Sequence, residues 1–90
     1  MKVLKIGAIW CNGCNVMRPR WKEIEAELPW LQTEYFEFDD SPEVVEQYGL
    51  DEGTLPTFIF LDKTGIEIDR TSGEIEKVEL LKILETYKNR

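Results

Sequence analysis

The sequence of 90 residues contains no histidine and only two cysteines, Cys11 and Cys14. Structural zinc sites usually need four cysteine or histidine ligands, and beyond this pair none remain. No apolar run approaches the ~20 residues that a membrane-spanning helix needs. We therefore expect neither a structural zinc site nor a membrane-spanning segment.

Basic residues are also scarce, since 11 lysines and arginines stand against 18 acidic residues and the net charge is −7. Nucleic acids and anionic membranes both require a basic surface, so we expect neither as a partner. The first residues, Met1–Lys5, lack the long apolar segment and the small-residue cleavage site of a signal peptide. We therefore expect a cytoplasmic protein, and in that compartment a lone cysteine pair is more often catalytic or metal-binding than structural. The length predicts a single domain, residues 1–90.

The two cysteines stand where a predicted strand is followed by a predicted helix. An apolar segment, Val3–Ile9, precedes them, and helical periodicity follows them. At a helix N-terminus, unpaired N–H groups and the positive end of the macrodipole both stabilise a thiolate. Residues three apart share a face of the first turn, so Cys11 and Cys14 can form a disulfide. This arrangement predicts thiol–disulfide exchange, in which one thiolate attacks a foreign disulfide and the second cysteine then displaces the substrate.

The apolar and turn patterns predict an α/β fold with the element order β-α-β-α-β-β-α. The nearly continuous apolar run of the first strand indicates a central strand, parallel to the second through a right-handed crossover. Glu34 and Glu37 indicate that the second strand lies at an edge of the sheet. The expected strands are Val3–Ile9, Thr33–Phe38, Thr57–Leu61 and Ile66–Thr71, and the expected helices cover Cys11–Leu28, Glu43–Tyr48 and approximately Val78–Lys88.

Two of the helices carry an apolar face that should pack against the sheet. In the first helix the spacings of four and three residues predict a buried stripe of Met17, Trp21, Ile24 and Leu28. In the last helix the predicted apolar face consists of Val78, Leu81 and Leu84, with Leu80 and Tyr87 fitting less regularly.

Several short motifs along the chain resemble those of the thioredoxin-like family. A tryptophan, Trp10, directly precedes the first cysteine, and Pro19 follows the second cysteine by five residues within the helix. Further matches are Ser41-Pro42 with Val44, Tyr48 and Gly49, the turn Leu55-Pro56-Thr57, and Gly73. The resemblance covers essentially the whole chain and is closest to the minimal, glutaredoxin-sized version of the fold. It implies a thioredoxin fold, with a four-stranded mixed sheet flanked by three helices.

The resemblance also implies an activity, that of a small protein-disulfide oxidoreductase. Cys11, nearer the helix terminus, is expected to be the nucleophile, and the more buried Cys14 is expected to be the resolving thiol. The resemblance further implies a cis peptide bond at Pro56 and an active-site surface made by Trp10, Asn12, Gly13, Leu55, Pro56 and Gly73. It implies no bound cofactor, electrons from a separate thioredoxin-type reductase, disulfide-containing proteins as partners, and a role in electron transport and cell redox homeostasis. We expect a monomer.

Two departures from the family pattern bear on the chemistry. The residues between the cysteines are Asn12 and Gly13, where thioredoxins usually have Gly-Pro. The aspartate that thioredoxins bury six residues before the first cysteine is Lys5 here. A buried lysine needs a partner or a route to water. We expect either an ion pair with Glu37, on the neighbouring strand, or a Lys5 ammonium that reaches solvent. A cationic Lys5 close to the site would favour the Cys11 thiolate.

Other readings of the cysteine pair remain open. A purely structural disulfide over so short a loop would contribute only ~2 kcal/mol. Two cysteines also suit Cu(I), a soft ion, and copper chaperones place a C-x-x-C motif after their first strand. Those chaperones usually have methionine two residues before the first cysteine, where this chain has Ile9, and a β-α-β-β-α-β order. A binding module with a thioredoxin fold and an inactive site is a third possibility.

Overall fold

A four-stranded mixed sheet organises the chain, and the computed structural model describes every residue from 1 to 90. The strands follow the order β2-β1-β3-β4, with β1 parallel to β2 and antiparallel to β3, which pairs with β4 in antiparallel fashion. This topology confirms the predicted fold class, the central position of β1 and the edge position of β2. The strands are β1 (Lys2–Gly7), β2 (Gln32–Glu37), β3 (Thr57–Leu61) and β4 (Glu67–Ser72), and the helices are α1 (Asn12–Glu27), α2 (Pro42–Tyr48) and α3 (Lys77–Tyr87).

The first strand is shorter than predicted, because β1 ends at Gly7 rather than at Ile9. The backbone N–H of Cys11 donates to the carbonyl of Ala8 at 3.1 Å, which closes a turn between strand and helix. Ile9 and Trp10 lie on this turn and are 76% and 50% exposed. Apolar character alone extended the predicted strand into a segment whose side chains face solvent.

Helix α1 packs on one face of the sheet through the predicted stripe. Met17, Trp21 and Ile24 are buried, and the Trp21 and Phe58 rings meet edge to face with centroids 5.2 Å apart. Leu28, the fourth member of the stripe, is half-buried at the end of the helix. Burial of each such side chain stabilises the fold by roughly 1.5–3 kcal/mol. This packing holds the N-terminus of α1 over the end of β1.

Helix α3 packs beside α1 with a buried face that shares Leu84 with the predicted one but contains Leu80 in place of Val78. Leu80 and Leu84 are fully buried, whereas Val78 is 59% exposed and Leu81 is half-buried. The Tyr87 ring continues the buried face and lies 6.4 Å from the Phe60 ring. The prediction of Val78 as a core residue is therefore wrong. The six apolar residues of α3 offer two faces of similar spacing, and contact with the sheet selects the one containing Leu80.

The other face of the sheet is covered by α2. Leu4, Ile6 and Ile59 form its buried layer. Pro42 occupies the first turn of α2, and Gly49 ends the helix in a left-handed conformation with φ 62°, which glycine adopts without steric cost. The sheet therefore carries one helix on this face and two on the face where the cysteines lie.

Candidate active site

Cys11 and Cys14 lie at the N-terminus of α1 and are joined as a disulfide, with their Cα atoms 5.2 Å apart. Cys11 occupies the N-cap position, and its Sγ accepts a hydrogen bond from the backbone N–H of Cys14 at 3.2 Å. Cys11 is partly exposed, whereas Cys14 is 3% exposed. The first turn of a helix thus places one sulfur at the surface, next to its unpaired amides, and the other sulfur inside.

Two segments distant in sequence meet the cysteine loop. The Leu55–Pro56 peptide bond is cis, as the resemblance implies, and a Cβ built on Gly13 would lie 3.2 Å from Pro56 Cδ. The backbone N–H of Gly73 donates to the Pro56 carbonyl at 2.7 Å, with Gly73 in a left-handed conformation at φ 85°. The structure therefore brings Gly13, Leu55, Pro56 and Gly73 together beside the disulfide.

Trp10 lies on the outer side of the same loop. Its ring is half exposed, and its Nε1 donates to Asp39 Oδ2 at 2.8 Å, which fixes the orientation of the indole. Asn12, the first residue of α1, is exposed, and so is Ile9 on the turn. The rim around the disulfide thus combines the exposed apolar side chains of Ile9 and Trp10 with the polar side chain of Asn12.

Lys5 pairs with a carboxylate, but not with the predicted one. Its Nζ lies 2.6 Å from Glu25 Oε2 and 5.7 Å from the centroid of the Trp21 ring. The pairing with Glu37 is therefore wrong, and the Lys5 side chain keeps 16% exposure beside its partner Glu25. The strand register explains the difference: Glu37 is aligned with Gly7, whereas Lys5 is aligned with Tyr35. An effect of Lys5 on the Cys11 thiolate remains a prediction.

Gly7 and Tyr35 are two site residues that the sequence analysis missed. A Cβ built on Gly7 would lie 3.1 Å from Cys14 Sγ and 3.3 Å from Tyr35 Oη. Only a glycine allows β1, the buried sulfur and the phenol to approach so closely. The signal was present in the alternation of β2, because Tyr35 and Glu37 share a face, but it needed the β1–β2 register to be read.

The Tyr35 hydroxyl lies in a polar network. It donates to Glu37 Oε1 at 2.8 Å and accepts from Arg18 Nη2 at 3.3 Å. Glu37 Oε2 also accepts from the backbone N–H of Ile9 at 3.2 Å. Burial of the hydroxyl raises the pKa of Tyr35 above its ordinary value, Glu37 adds to the rise, and the hydrogen bond from Arg18 opposes it. Tyr35 is therefore protonated at neutral pH and serves as the donor to Glu37.

A cavity of about 310 Å³ lies between α1 and the sheet, directly behind Cys14. Its polar lining is supplied by Lys5, Arg18 and Tyr35. The remaining walls come from Ile6, Gly7, Cys14, Met17, Trp21, Pro56 and Phe58. Cys14 thus lines the same cavity as the side chains of Lys5, Arg18 and Tyr35.

No group of three or more cysteine, aspartate or glutamate side chains is arranged to hold a metal ion. Every helix is too short or too polar to cross a bilayer. Neither observation bears on the chemistry of the disulfide itself.

The family model described as Thioredoxin matches residues 1–86. A thioredoxin of Chlamydia muridarum is 34% identical over 80 residues, which cover 89% of this chain and 76% of that protein. Among solved structures, a thioredoxin from Nicotiana alata superposes with a TM-score of 0.84 at 28% identity, over 94% of this chain and 70% of the other. Thioredoxin 1 of Thermosipho africanus superposes with a TM-score of 0.82 at 26% identity, over 98% and 94% of the two chains.

The matches and the geometry agree. The family model spans nearly the whole chain, and the structure adds a C-x-x-C disulfide at a helix N-terminus next to a cis-proline turn. A partly exposed cysteine beside a second cysteine suits thiol–disulfide exchange, because one thiolate can attack a foreign disulfide and the other can resolve the mixed disulfide. The chain therefore belongs to the thioredoxin family and is a protein-disulfide oxidoreductase.

Proposed function

We propose that Cys11 is the nucleophile and Cys14 the resolving thiol in the reduction of protein disulfides. The observation that carries this assignment is the difference in exposure between the two sulfurs on one helical turn. The Cys11 thiolate attacks a substrate disulfide and forms a mixed disulfide, which releases one substrate thiolate. The Cys14 thiolate then attacks Cys11 Sγ, so that the protein disulfide forms and the second substrate sulfur leaves as a thiolate.

The substrate contacts the rim formed by Trp10, Asn12, Gly13, the Leu55–Pro56 turn and Gly73. Its exposed apolar groups offer contact area, and the turn offers backbone for an extended substrate segment to pair with. Peptides that add to an exposed strand edge bind in this way. The proximity of Gly13 and Gly73 to Pro56 supports the assignment, because it places the Leu55–Pro56 turn beside the loop that carries Cys11.

The partners follow from this cycle. Each turnover leaves the protein oxidised, so a separate reductase of the thioredoxin type must return two electrons to the pair. We propose that the protein works without a bound cofactor, as a monomer in the cytoplasm, and contributes to electron transport and cell redox homeostasis. The acidic surface, with a net charge of −7, supports protein partners rather than nucleic acid.

Insulin reduction driven by a dithiol donor tests the assignment. Wild-type protein should reduce insulin disulfides, Cys11→Ser should abolish turnover, and Cys14→Ser should accumulate mixed disulfides that mass spectrometry detects. Normal turnover by Cys11→Ser would overturn the roles. Tight Cu(I) binding together with absence of reductase activity would favour a metal chaperone instead.

A further inference from the structure

Cys14 is buried, yet its thiol must lose a proton before it can react. Its side chain is 3% exposed, and a thiol must lose its proton before it can act as a nucleophile. Bulk water has little access to this sulfur, so the proton needs an acceptor inside the fold. The acceptor must lie within hydrogen-bond reach of the thiol, directly or through one water molecule.

The Tyr35 hydroxyl lies across Gly7 from the Cys14 sulfur. Cys14 Sγ and Tyr35 Oη lie 3.1 and 3.3 Å from the point that a Cβ on Gly7 would occupy. The hydroxyl already donates its own proton to Glu37 at 2.8 Å. Tyr35 and Glu37 are respectively exposed and half-buried, so the chain of groups runs from the buried sulfur to solvent.

We propose that Tyr35 and Glu37 form the proton-transfer path of Cys14; this inference rests on the proposed role of Cys14 as resolving thiol. The Cys14 thiol gives its proton to Tyr35 Oη while the phenolic proton passes to the Glu37 carboxylate. The resulting thiolate attacks Cys11 Sγ, the Cys11–Cys14 bond forms, and the bond between Cys11 and the substrate breaks. The bonding electron pair leaves on the substrate sulfur, which is reduced as Cys14 is oxidised. Glu37 then releases the proton to solvent.

Other charged residues lie near this path, and each has to be considered as a proton acceptor or as an influence on Tyr35. Arg18 donates to the Tyr35 oxygen, which stabilises negative charge there and favours transfer of the phenolic proton to Glu37. Lys5 shares the cavity with Cys14, but its Nζ is bound to Glu25 and a charged ammonium accepts no proton. At the rim, Asp39 is held by Trp10, and Glu74 Cγ lies 3.4 Å from a Cβ built on Gly13. Glu37 is thus the carboxylate connected to Tyr35 by a hydrogen bond.

The test separates the two steps of the reaction in time. Reduced protein is mixed with a chromogenic aromatic disulfide at a series of pH values. The first coloured thiolate released reports attack by Cys11, and the second reports attack by Cys14. We expect Tyr35→Phe and Glu37→Gln to slow the second release about tenfold near neutral pH and to move its pH midpoint upward, while the first release is unchanged. Tyr48→Phe, on the opposite face of the sheet, is the matched control and should behave as wild type.

The possible results can contradict the proton path and the resolving role of Cys14 separately. A wild-type protein that releases no second thiolate would overturn the resolving role of Cys14, and the proton path with it. A second release whose pH profile is unchanged in both Tyr35→Phe and Glu37→Gln would overturn the path alone. Loss confined to Lys5→Met would assign the proton transfer to Lys5 instead. Glu37→Gln keeps the size of the side chain and its acceptor for the Ile9 N–H, so it tests the path even where Tyr35→Phe disturbs packing.

Discussion

Lys5 and Glu25 form an ion pair beneath the active-site helix, with 2.6 Å between Nζ and Oε2. The lysine comes from the central strand β1 and the glutamate from the fourth turn of α1, so the pair ties helix to sheet. The Lys5 side chain is largely buried, whereas Glu25 is about one-third exposed. Loss of Glu25 would therefore leave a charged lysine in a poorly solvated position, whereas loss of Lys5 would leave a carboxylate that solvent still reaches.

This asymmetry predicts a difference between two substitutions. Glu25→Gln should lower the free energy of unfolding by about 1–2 kcal/mol, because it leaves a buried ammonium without a counter-charge. Lys5→Met should be nearly neutral, since the apolar side chain fits beside Trp21 and Glu25 can turn to solvent. Urea unfolding of both variants and of the double variant measures these changes and the coupling between them.

Glu23→Gln is the matched control on the same helix. Glu23 is exposed and shares Lys77 with Glu27, so its replacement should cost no more than about 0.5 kcal/mol. Equal losses for Glu25→Gln and Glu23→Gln would show that the Lys5 pair behaves as a surface ion pair.

A second pair predicts how stability depends on pH. Arg70 donates to both oxygens of Glu67, at 2.5 and 2.7 Å, and these hydrogen bonds hold the pKa of Glu67 below its ordinary value. A carboxylate whose pKa is depressed by folding stabilises the protein above its unfolded pKa of roughly 4.3, and loses this contribution as pH falls through the folded pKa. The wild type should therefore be more stable than Glu67→Gln near pH 7, and the difference should shrink as the pH falls below roughly 4.

Unfolding by urea at several pH values, with Glu46→Gln as an exposed control, measures this change. The Arg70 guanidinium also donates to the Tyr48 carbonyl at 2.9 Å, so it joins β4 to the end of α2. A stability difference that stays constant with pH would assign the contribution of Glu67 to packing rather than to charge.

The face of α3 is tested by two substitutions two residues apart. Leu80→Ala should lower the free energy of unfolding by about 2–5 kcal/mol, because it opens a cavity in a fully buried position. Val78→Ala should change it by less than about 0.5 kcal/mol, since Val78 is exposed. Thermal and urea unfolding give both values. A larger loss for Val78→Ala than for Leu80→Ala would show that Val78, and not Leu80, faces the core.

Local chemistry allowed much of this protein to be predicted from sequence. The spacing of the cysteines and the change from an apolar run to helical periodicity located the disulfide at a strand–helix junction. The stripe of Met17, Trp21 and Ile24 identified the buried face of α1, and Gly49 marked the end of α2. These features depend on residues close together in the chain, whose geometry helix and strand periods determine. The cis bond at Pro56 was predicted from family resemblance, since sequence alone favours trans.

Contacts between residues on different strands and helices could be identified only from the tertiary structure. The partner of Lys5 was mistaken because Glu25 and Glu37 are both plausible acids, and only the β1–β2 register and the position of α1 decide between them. Tyr35 was missed for the same reason, since only the β1–β2 register places its hydroxyl and Cys14 Sγ next to Gly7. On α3, packing chose Leu80 over Val78 although the helical period allowed either. By itself, the sequence determined the disulfide and the helix that presents it. Only the tertiary structure decided which residues surround the buried Cys14 sulfur. Gly7, Tyr35 and Lys5 lie on strands, and helix and strand periods do not predict which residues of different elements come together.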